Sequence, residues 1–121
     1  MNTKIEDIRK RRQHAHRRLL DMKSKVYQAF LSLEQATYTD GALPRKAKEL
    51  IAVGISVVSN CESCMEWHIT QAVRCGATQQ EVLEAVEVGI EMAGGPATVS
   101  ARFALEVMEE VFASTPRGRK K

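Results

Sequence analysis

The chain has 121 residues, a formal net charge of +3, three cysteines and only 5% aromatic residues. Its length suffices for one domain and not for two, and its composition predicts a core of Val, Ile, Leu, Ala and Met. Three cysteines do not make a disulfide framework, and no apolar run reaches the roughly 18 residues that a membrane span requires. Because we also find no signal-peptide pattern, we expect a cytoplasmic protein without a membrane partner, whose thiols are reduced between turnovers.

The charge is distributed unevenly along the chain. Residues 1–25 contain nine Lys/Arg and three Asp/Glu, whereas residues 26–114 contain five and twelve. Basic ends on an acidic body are compatible with nucleic-acid contact. We favour instead a solvated helix face, or basic arms that meet the acidic body of a neighbouring subunit. We predict one helical domain over residues 1–114 and a basic disordered tail over 115–121.

The first predicted element is one long helix over residues 4–36. Apolar residues recur at alternating spacings of three and four, and no Gly or Pro interrupts them. This is the pattern of a heptad stripe, and Arg12 is its one break. Such a stripe has to pack along other helices or along another subunit.

The second predicted helix opens at Pro44 and runs to about Val58. It is apolar nearly all round, which is typical of a buried helix, yet it contains Glu49. A buried carboxylate needs a partner or takes up a proton. Ser59 and Asn60 are predicted to cap the third helix, which ends near Gly76.

Two more helices complete the prediction. Thr78 and Glu81 form a capping box that opens the fourth helix. The fifth covers about 97–113 and is predicted to turn five apolar residues inward: Val99, Phe103, Leu105, Val107 and Val111. Small residues between 93 and 100, including Gly94 and Gly95, are expected to allow close backbone approach near the site. Because no strand alternation is convincing, we predict an all-α bundle of about five to six helices.

The segment Cys61-Glu62-Ser63-Cys64, with His68 four residues further on, contains the chemically informative side chains. On a helix the two cysteines and the histidine fall within one narrow stripe. Cys64 lies at i,i+4 from His68, within side-chain reach, which favours Cys64 as the nucleophile. The helix dipole alone favours Cys61, which is nearer the positive end.

This constellation predicts a thiol redox cycle. The Cys64 thiolate attacks a peroxide and becomes a sulfenic acid, and Cys61 condenses with it to form a disulfide. An external dithiol then reduces that disulfide. Glu49 and His68 are expected to move the protons, and the cycle needs no metal or other cofactor.

Five residues at fixed spacing resemble a known family. Glu49 is followed after eleven residues by Cys61, and then come Cys64, His68 and Ala72. This pattern is similar to the alkyl hydroperoxidase D-like branch of the carboxymuconolactone decarboxylase family, and residues 48–52 and 76–82 also resemble it. The best-known members have a His directly before the second Cys, where this chain has Ser63.

The resemblance implies a function and an assembly. It implies an all-helical subunit that forms homotrimers or homohexamers, and a peroxidase or disulfide-reductase activity. The substrate would be a small hydroperoxide, and the electron donor a dithiol. Cys64 matches the attacking thiol, Cys61 the resolving thiol, and Glu49 with His68 the proton relay. Decarboxylase members generally lack the Cys pair.

Other functions stay open from the sequence. Cys-x-x-Cys also occurs in zinc sites, and a site of three ligands and a water is an alternative. A non-redox enzyme could use His68 and Glu49 as acid–base groups on a carboxylated lactone. A scaffold protein could bind partners through its basic N-terminal helix. We further expect Glu62 and Glu66 to face solvent, and Trp67 to serve either as core or as a pocket wall.

Overall fold

The structure is a computed structural model that describes residues 2–114. It contains six helices: α1 (Thr3–Asp21), α2 (Lys25–Thr37), α3 (Arg45–Val58), α4 (Glu62–Arg74), α5 (Gln79–Ala93) and α6 (Gly95–Ser114). Helix α3 packs on α4 and α5, and both of these pack on α6. No strand occurs within the described residues, so the all-α prediction is confirmed. The predicted tail, 115–121, lies outside them, and none of the helices in residues 2–114 has the length and hydropathy to span a bilayer.

The prediction of one long N-terminal helix is wrong, because the chain turns between Met22 and Ser24. Lys23 adopts a left-handed conformation with φ 56°. The amide of Lys23 donates to the Leu20 carbonyl, and that of Ser24 to the Leu19 carbonyl. This is a Schellman ending, which usually has Gly where this chain has Lys. Ser24 then caps α2 with its hydroxyl, a signal that the sequence did contain.

The turn between α3 and α4 differs from the prediction in a way that matters for the site. Asn60 is left-handed, with φ 53°, and the Cys61 amide donates to the Ser56 carbonyl at 3.0 Å. Asn60 therefore ends α3 by a second Schellman turn. The N-cap of α4 is Cys61, so the predicted capping by Ser59 or Asn60 is wrong.

Helices α3 and α5 approach closely at two glycines. A Cβ atom on Gly89 would lie 2.7 Å from the Gly54 carbonyl oxygen, so Gly89 has no room for a side chain without movement of the backbone. A Cβ atom on Gly54 would lie 3.1 Å from the Ala85 carbonyl oxygen, which is also a tight contact. The predicted approach at Gly94 and Gly95 is wrong, since a Cβ there meets no described atom within 4 Å. Gly94, with φ 81°, instead ends α5.

The fourth predicted helix, observed as α5, follows its capping prediction. The Thr78 hydroxyl accepts from the Glu81 amide at 3.1 Å, and the Glu81 carboxylate accepts from the Thr78 amide at 2.8 Å. Val82 and Val86 turn into the core. The capping box therefore fixes where α5 starts and which face it buries.

Several apolar side chains lie on the surface of the subunit. Phe103, Val107 and Val111 of α6 are buried as predicted, but Val99 and Leu105 are exposed. Helix α3 is not buried all round, because Ile51, Ile55 and Val58 are exposed. Helix α2 has no buried residue at all. One subunit therefore leaves apolar faces of α2 and α3 uncovered.

Candidate active site

The two cysteines of the motif face each other at the start of α4. Cys61 precedes the helix, and its sulfur accepts a hydrogen bond from the Cys64 amide at 3.2 Å. The two sulfurs lie at disulfide-bonding distance, with Cα atoms 5.2 Å apart, within the usual range for a bridge. Cys61 is thus a cap residue and not a helical one, but its side chain still reaches Cys64.

Only one of these cysteines lines the adjoining cleft. The cleft has a volume of about 610 Å³ and lies between α1, α2 and α4. Cys64, Trp67 and His68 line it from α4, and Phe30 with Leu31 line it from α2. Cys61 is absent from the lining, so Cys64 is the member of the pair that a molecule in the cleft contacts. Of the two placements that the sequence left open for Trp67, core or pocket wall, the structure has the pocket wall.

His68 and Glu49 form a hydrogen-bonded pair beside this cleft. The Nδ1 atom of His68 lies 2.7 Å from the Glu49 Oε1 atom. Glu49 is 1% exposed, and Arg45 Nε donates to its second oxygen at 3.2 Å. Arg45 also donates to the buried Gln71 at 2.9 Å. The packing of α3 on α4 thus joins two predicted site residues that are 19 positions apart, and the partner that a buried Glu49 requires is a cation.

Tyr38, which sequence analysis did not identify, packs on the histidine. The ring centroids of Tyr38 and His68 are 5.3 Å apart. Burial, followed by the negative charges of Glu49 and Glu34, raises the pKa of Tyr38 above its ordinary value. The phenol therefore stays protonated at neutral pH and forms an uncharged wall beside the imidazole. A single Tyr after a helix gives no sequence signal of this placement.

The prediction that Glu66 faces solvent is wrong. Glu66 is 1% exposed and accepts hydrogen bonds from Arg9 Nε at 2.7 Å, from Arg12 and from Thr70 at 3.1 Å. Burial alone would raise the pKa of the Glu66 carboxyl, but hydrogen bonds and charges from the two arginines outweigh it and lower the pKa. This cluster ties α1 to α4, so it helps to build the wall of the cleft.

We expect Glu66→Gln to destabilise the fold by about 2–4 kcal/mol at pH 7, because two guanidinium groups lose their buried anion. A depressed carboxyl pKa stabilises the folded state above about pH 4.3 and loses that effect as the pH falls through the folded value. The variant should therefore lose less stability than the wild type on acidification, as measured by urea unfolding at several pH values. Glu62→Gln is the control, since its pair with Lys4 is exposed and contributes little to stability. Equal unfolding free energies for the two variants would contradict this role of Glu66.

Arg12 is a second residue that sequence analysis did not place in the site. Its Nη2 atom donates to the carbonyl oxygen of Ser63 at 2.9 Å and to the Ser63 hydroxyl at 3.1 Å. Its guanidinium carbon lies 5.2 Å from the centre of the Trp67 ring, a cation–π contact. The break that Arg12 makes in the apolar stripe of α1 was the available signal.

Cys75 and His16 are part of neither the cysteine pair nor the His68–Glu49 pair. Cys75 is half-buried at the C-terminal cap of α4, away from the Cys pair in the sequence and outside the cleft. His16 lines the cleft and bonds to the Tyr27 hydroxyl at 2.6 Å. Within residues 2–114, no group of three His, Cys, Asp or Glu side chains is arranged to hold a metal ion.

The fold and the site define an all-helical protein in which a pair of adjacent cysteines lies beside a His–Glu pair. The sequence profile of the carboxymuconolactone decarboxylase family matches residues 24–107, and the chain belongs to that family. A curated relative from Paracoccus denitrificans, an uncharacterised protein of the cox locus, is 40% identical over 88 residues. That alignment covers 73% of this chain and 79% of the relative.

Solved structures are similar over most of the chain. The apo crystal structure of a carboxymuconolactone decarboxylase family protein from Legionella pneumophila has a TM-score of 0.86 and 34% identity. The match covers 91% of this chain and 98% of the Legionella pneumophila chain. A Thermotoga maritima member of the family, for which a part in the antioxidative response has been suggested, has a TM-score of 0.71 and 30% identity. The match covers 80% of this chain and 86% of that one.

Proposed function

We propose that this protein is a thiol-dependent peroxidase and disulfide oxidoreductase of the alkyl hydroperoxidase D-like branch, with a small hydroperoxide as substrate. The observation that supports this most directly is the Cys61–Cys64 pair at bonding distance, with Cys64 lining a cleft that His68 also lines. The suggested antioxidative role of the Thermotoga maritima relative supports the same class. Because the cycle consumes a dithiol, we assign the protein to the reducing cytoplasm.

The first step oxidises Cys64. Its thiol gives its proton to His68, and the resulting thiolate attacks the terminal peroxide oxygen. A sulfur–oxygen bond forms as the oxygen–oxygen bond breaks, and the leaving alkoxide takes the proton from His68 to become an alcohol. The Cys61 thiol then attacks the sulfenic acid, which closes the disulfide and releases water.

The proton path assigns a tautomer to His68. Arg45 compensates the charge of the Glu49 carboxylate, so the imidazole needs no positive charge of its own to pair with it. A neutral ring that donates its Nδ1–H to Glu49 keeps a lone pair on Nε2. That nitrogen is the one that can take a proton from the thiol, while Glu49 holds the ring in orientation.

The second half of the cycle opens the disulfide. A thiolate of the donor attacks the sulfur of Cys64, the cysteine that lines the cleft, and Cys61 leaves as a thiolate. The helix N-terminus stabilises that negative charge, because the Cys64 amide points at the Cys61 sulfur. The donor's second thiol then displaces Cys64, so that the donor ends as a disulfide. The helix dipole, which favours a thiolate at Cys61, therefore assists the departure of Cys61. Its effect is compatible with Cys64 as the nucleophile.

Thiol titration tests this function. The fully reduced protein should lose two free thiols on addition of one equivalent of hydroperoxide, and a dithiol reductant should restore both. Retention of all three thiols would overturn the proposal. Turnover of a carboxylated lactone that survives alkylation of the thiols would assign the His68–Glu49 pair to non-redox acid–base chemistry.

We propose further that the subunit forms a homotrimer or homohexamer. Val26 and Leu33 of α2 are 82% and 62% exposed, and no residue of α2 is buried within the subunit. An amphipathic helix whose apolar residues are exposed gains stability by association. The exposed Ile51 and Ile55 of α3 add a second apolar surface.

The double substitution Val26→Glu with Leu33→Glu should convert the oligomer to monomer, because it places charges in the apolar contact. Light scattering coupled to size exclusion measures the mass. Gln28→Glu with Gln35→Glu adds the same charge to the opposite face of α2 and should leave the mass unchanged. A monomeric wild-type protein would contradict the proposed assembly.

A further inference from the structure

The N-terminal helix contributes a cation to the cysteine pair. Arg12 interrupts the apolar stripe of α1, where a charged side chain sacrifices packing. It is only partly exposed, and its guanidinium lies over the first turn of α4. Both donor bonds from Nη2 go to Ser63, the residue that directly precedes Cys64.

The surroundings orient this guanidinium with respect to the cysteines. Glu66 binds Nη1, and the guanidinium carbon lies over the Trp67 ring, 5.2 Å from its centre. Glu66 also forms an ion pair with Arg9, so its negative charge is shared between the two arginines. In this cluster of Arg9, Arg12 and Glu66, Arg12 is the residue that contacts the Cys-x-x-Cys segment. The cluster therefore presents a positive charge to that segment.

Other charged and titratable groups share the cleft with Cys64. They are Arg12, His16 and Arg17 of α1, Tyr27 and Glu34 of α2, and His68 of α4. Among these, Arg12 donates hydrogen bonds to the residue adjoining Cys64, whereas His16 is bonded to Tyr27. A permanent cation next to a thiol favours the thiolate.

We propose that Arg12 is a positioning residue that holds Ser63 in place and stabilises the Cys64 thiolate. It acts through the Ser63 carbonyl and hydroxyl, which fix the backbone between the two sulfurs, and through its charge in the cleft wall. This inference rests on the proposed function in assigning the attacking thiol to Cys64. What it adds is a claim about the ionisation and position of the Cys64 thiol, and both can be measured without any peroxide.

Alkylation of the reduced protein by iodoacetamide, followed site by site by mass spectrometry over a range of pH, tests the proposal. In Arg12→Gln, the pH of half-maximal alkylation at Cys64 should rise by about 0.5–1 unit, less than for an unshared ion pair because Glu66 also binds the guanidinium. Arg11→Gln is the matched control, since Arg11 lies one residue away, is exposed and pairs with Asp7. It removes the same charge and should leave the profile unchanged.

Arg12→Lys separates charge from geometry. It keeps the cation, so its midpoint should stay close to that of the wild type, while the loss of the two-point bond to Ser63 should slow disulfide closure after one oxidising equivalent. This variant also keeps the proposal testable if Arg12→Gln does not fold. Identical alkylation profiles and closure rates for Arg12→Lys, Arg12→Gln and Arg11→Gln would overturn it.

These outcomes are independent of the peroxidase assay. A wild-type protein that consumes no hydroperoxide but shows the Arg12-dependent profile would refute the proposed function and leave the role of Arg12 standing. Peroxide turnover together with an alkylation profile that does not depend on Arg12 would support the proposed function and refute the role of Arg12.

Discussion

Cys64→Ser is expected to abolish hydroperoxide consumption, down to the rate seen without protein. A serine hydroxyl is not ionised at neutral pH, and Cys61 does not line the cleft, so no sulfur remains where the peroxide enters. Cys61→Ser should instead consume one equivalent and then stop, because Cys64 still forms a sulfenic acid that nothing resolves. Peroxide consumption in a single turnover, with a sulfenic-acid trap analysed by mass spectrometry, measures both results.

Cys75→Ser provides the control for this pair of variants. Cys75 is the third thiol of the chain, half-buried at the far end of α4 and outside the cleft. Its replacement should leave both the single turnover and the steady-state rate as in the wild type. Equal loss in Cys61→Ser and Cys64→Ser during a single turnover, or a trapped sulfenic acid on Cys61, would contradict the assignment of Cys64 as nucleophile.

His68→Ala is expected to lower the rate of reaction with peroxide by about 10²–10⁴-fold, the usual contribution of a positioned general base. It should also move the pH profile of Cys64 alkylation upward, since the group that accepts the thiol proton is gone. Glu49→Gln should lower the rate less, because the imidazole remains and loses only the carboxylate that orients it. Stopped-flow measurement of the single turnover against pH separates these effects.

Two further variants make this prediction decisive. Combining His68→Ala with Glu49→Gln should cost little more than His68→Ala alone, because the carboxylate acts through the ring. His16→Ala is the matched control, since His16 lines the same cleft but is bonded to Tyr27. If His16→Ala and His68→Ala slowed the reaction equally, the relay would be wrong.

Local signals accounted for much of the fold. The absence of strand alternation predicted an all-α chain, and the capping box at Thr78 placed the start of α5. Gly76, left-handed with φ 94°, ends α4 where it was expected to. These features depend on hydrogen bonds within a few residues, so the sequence expresses them directly. The end of α1 and the start of α4, which were mispredicted, also have local causes, but Lys23 and Asn60 occupy positions where Gly is the usual signal.

The residues of the candidate site also fall into those that the sequence predicts and those that depend on helix packing. The sequence by itself determined the cysteine pair and placed His68 one turn beyond it, because those residues share one short segment. It also marked Glu49 as a buried carboxylate that needed a partner. Only the tertiary structure decided that His68 of α4 is bonded to this carboxylate, that Tyr38 packs on His68, and that Glu66 is buried between two arginines of α1. Those contacts join helices far apart in the chain, and their geometry is fixed by how the helices pack, which no periodicity within a single helix specifies.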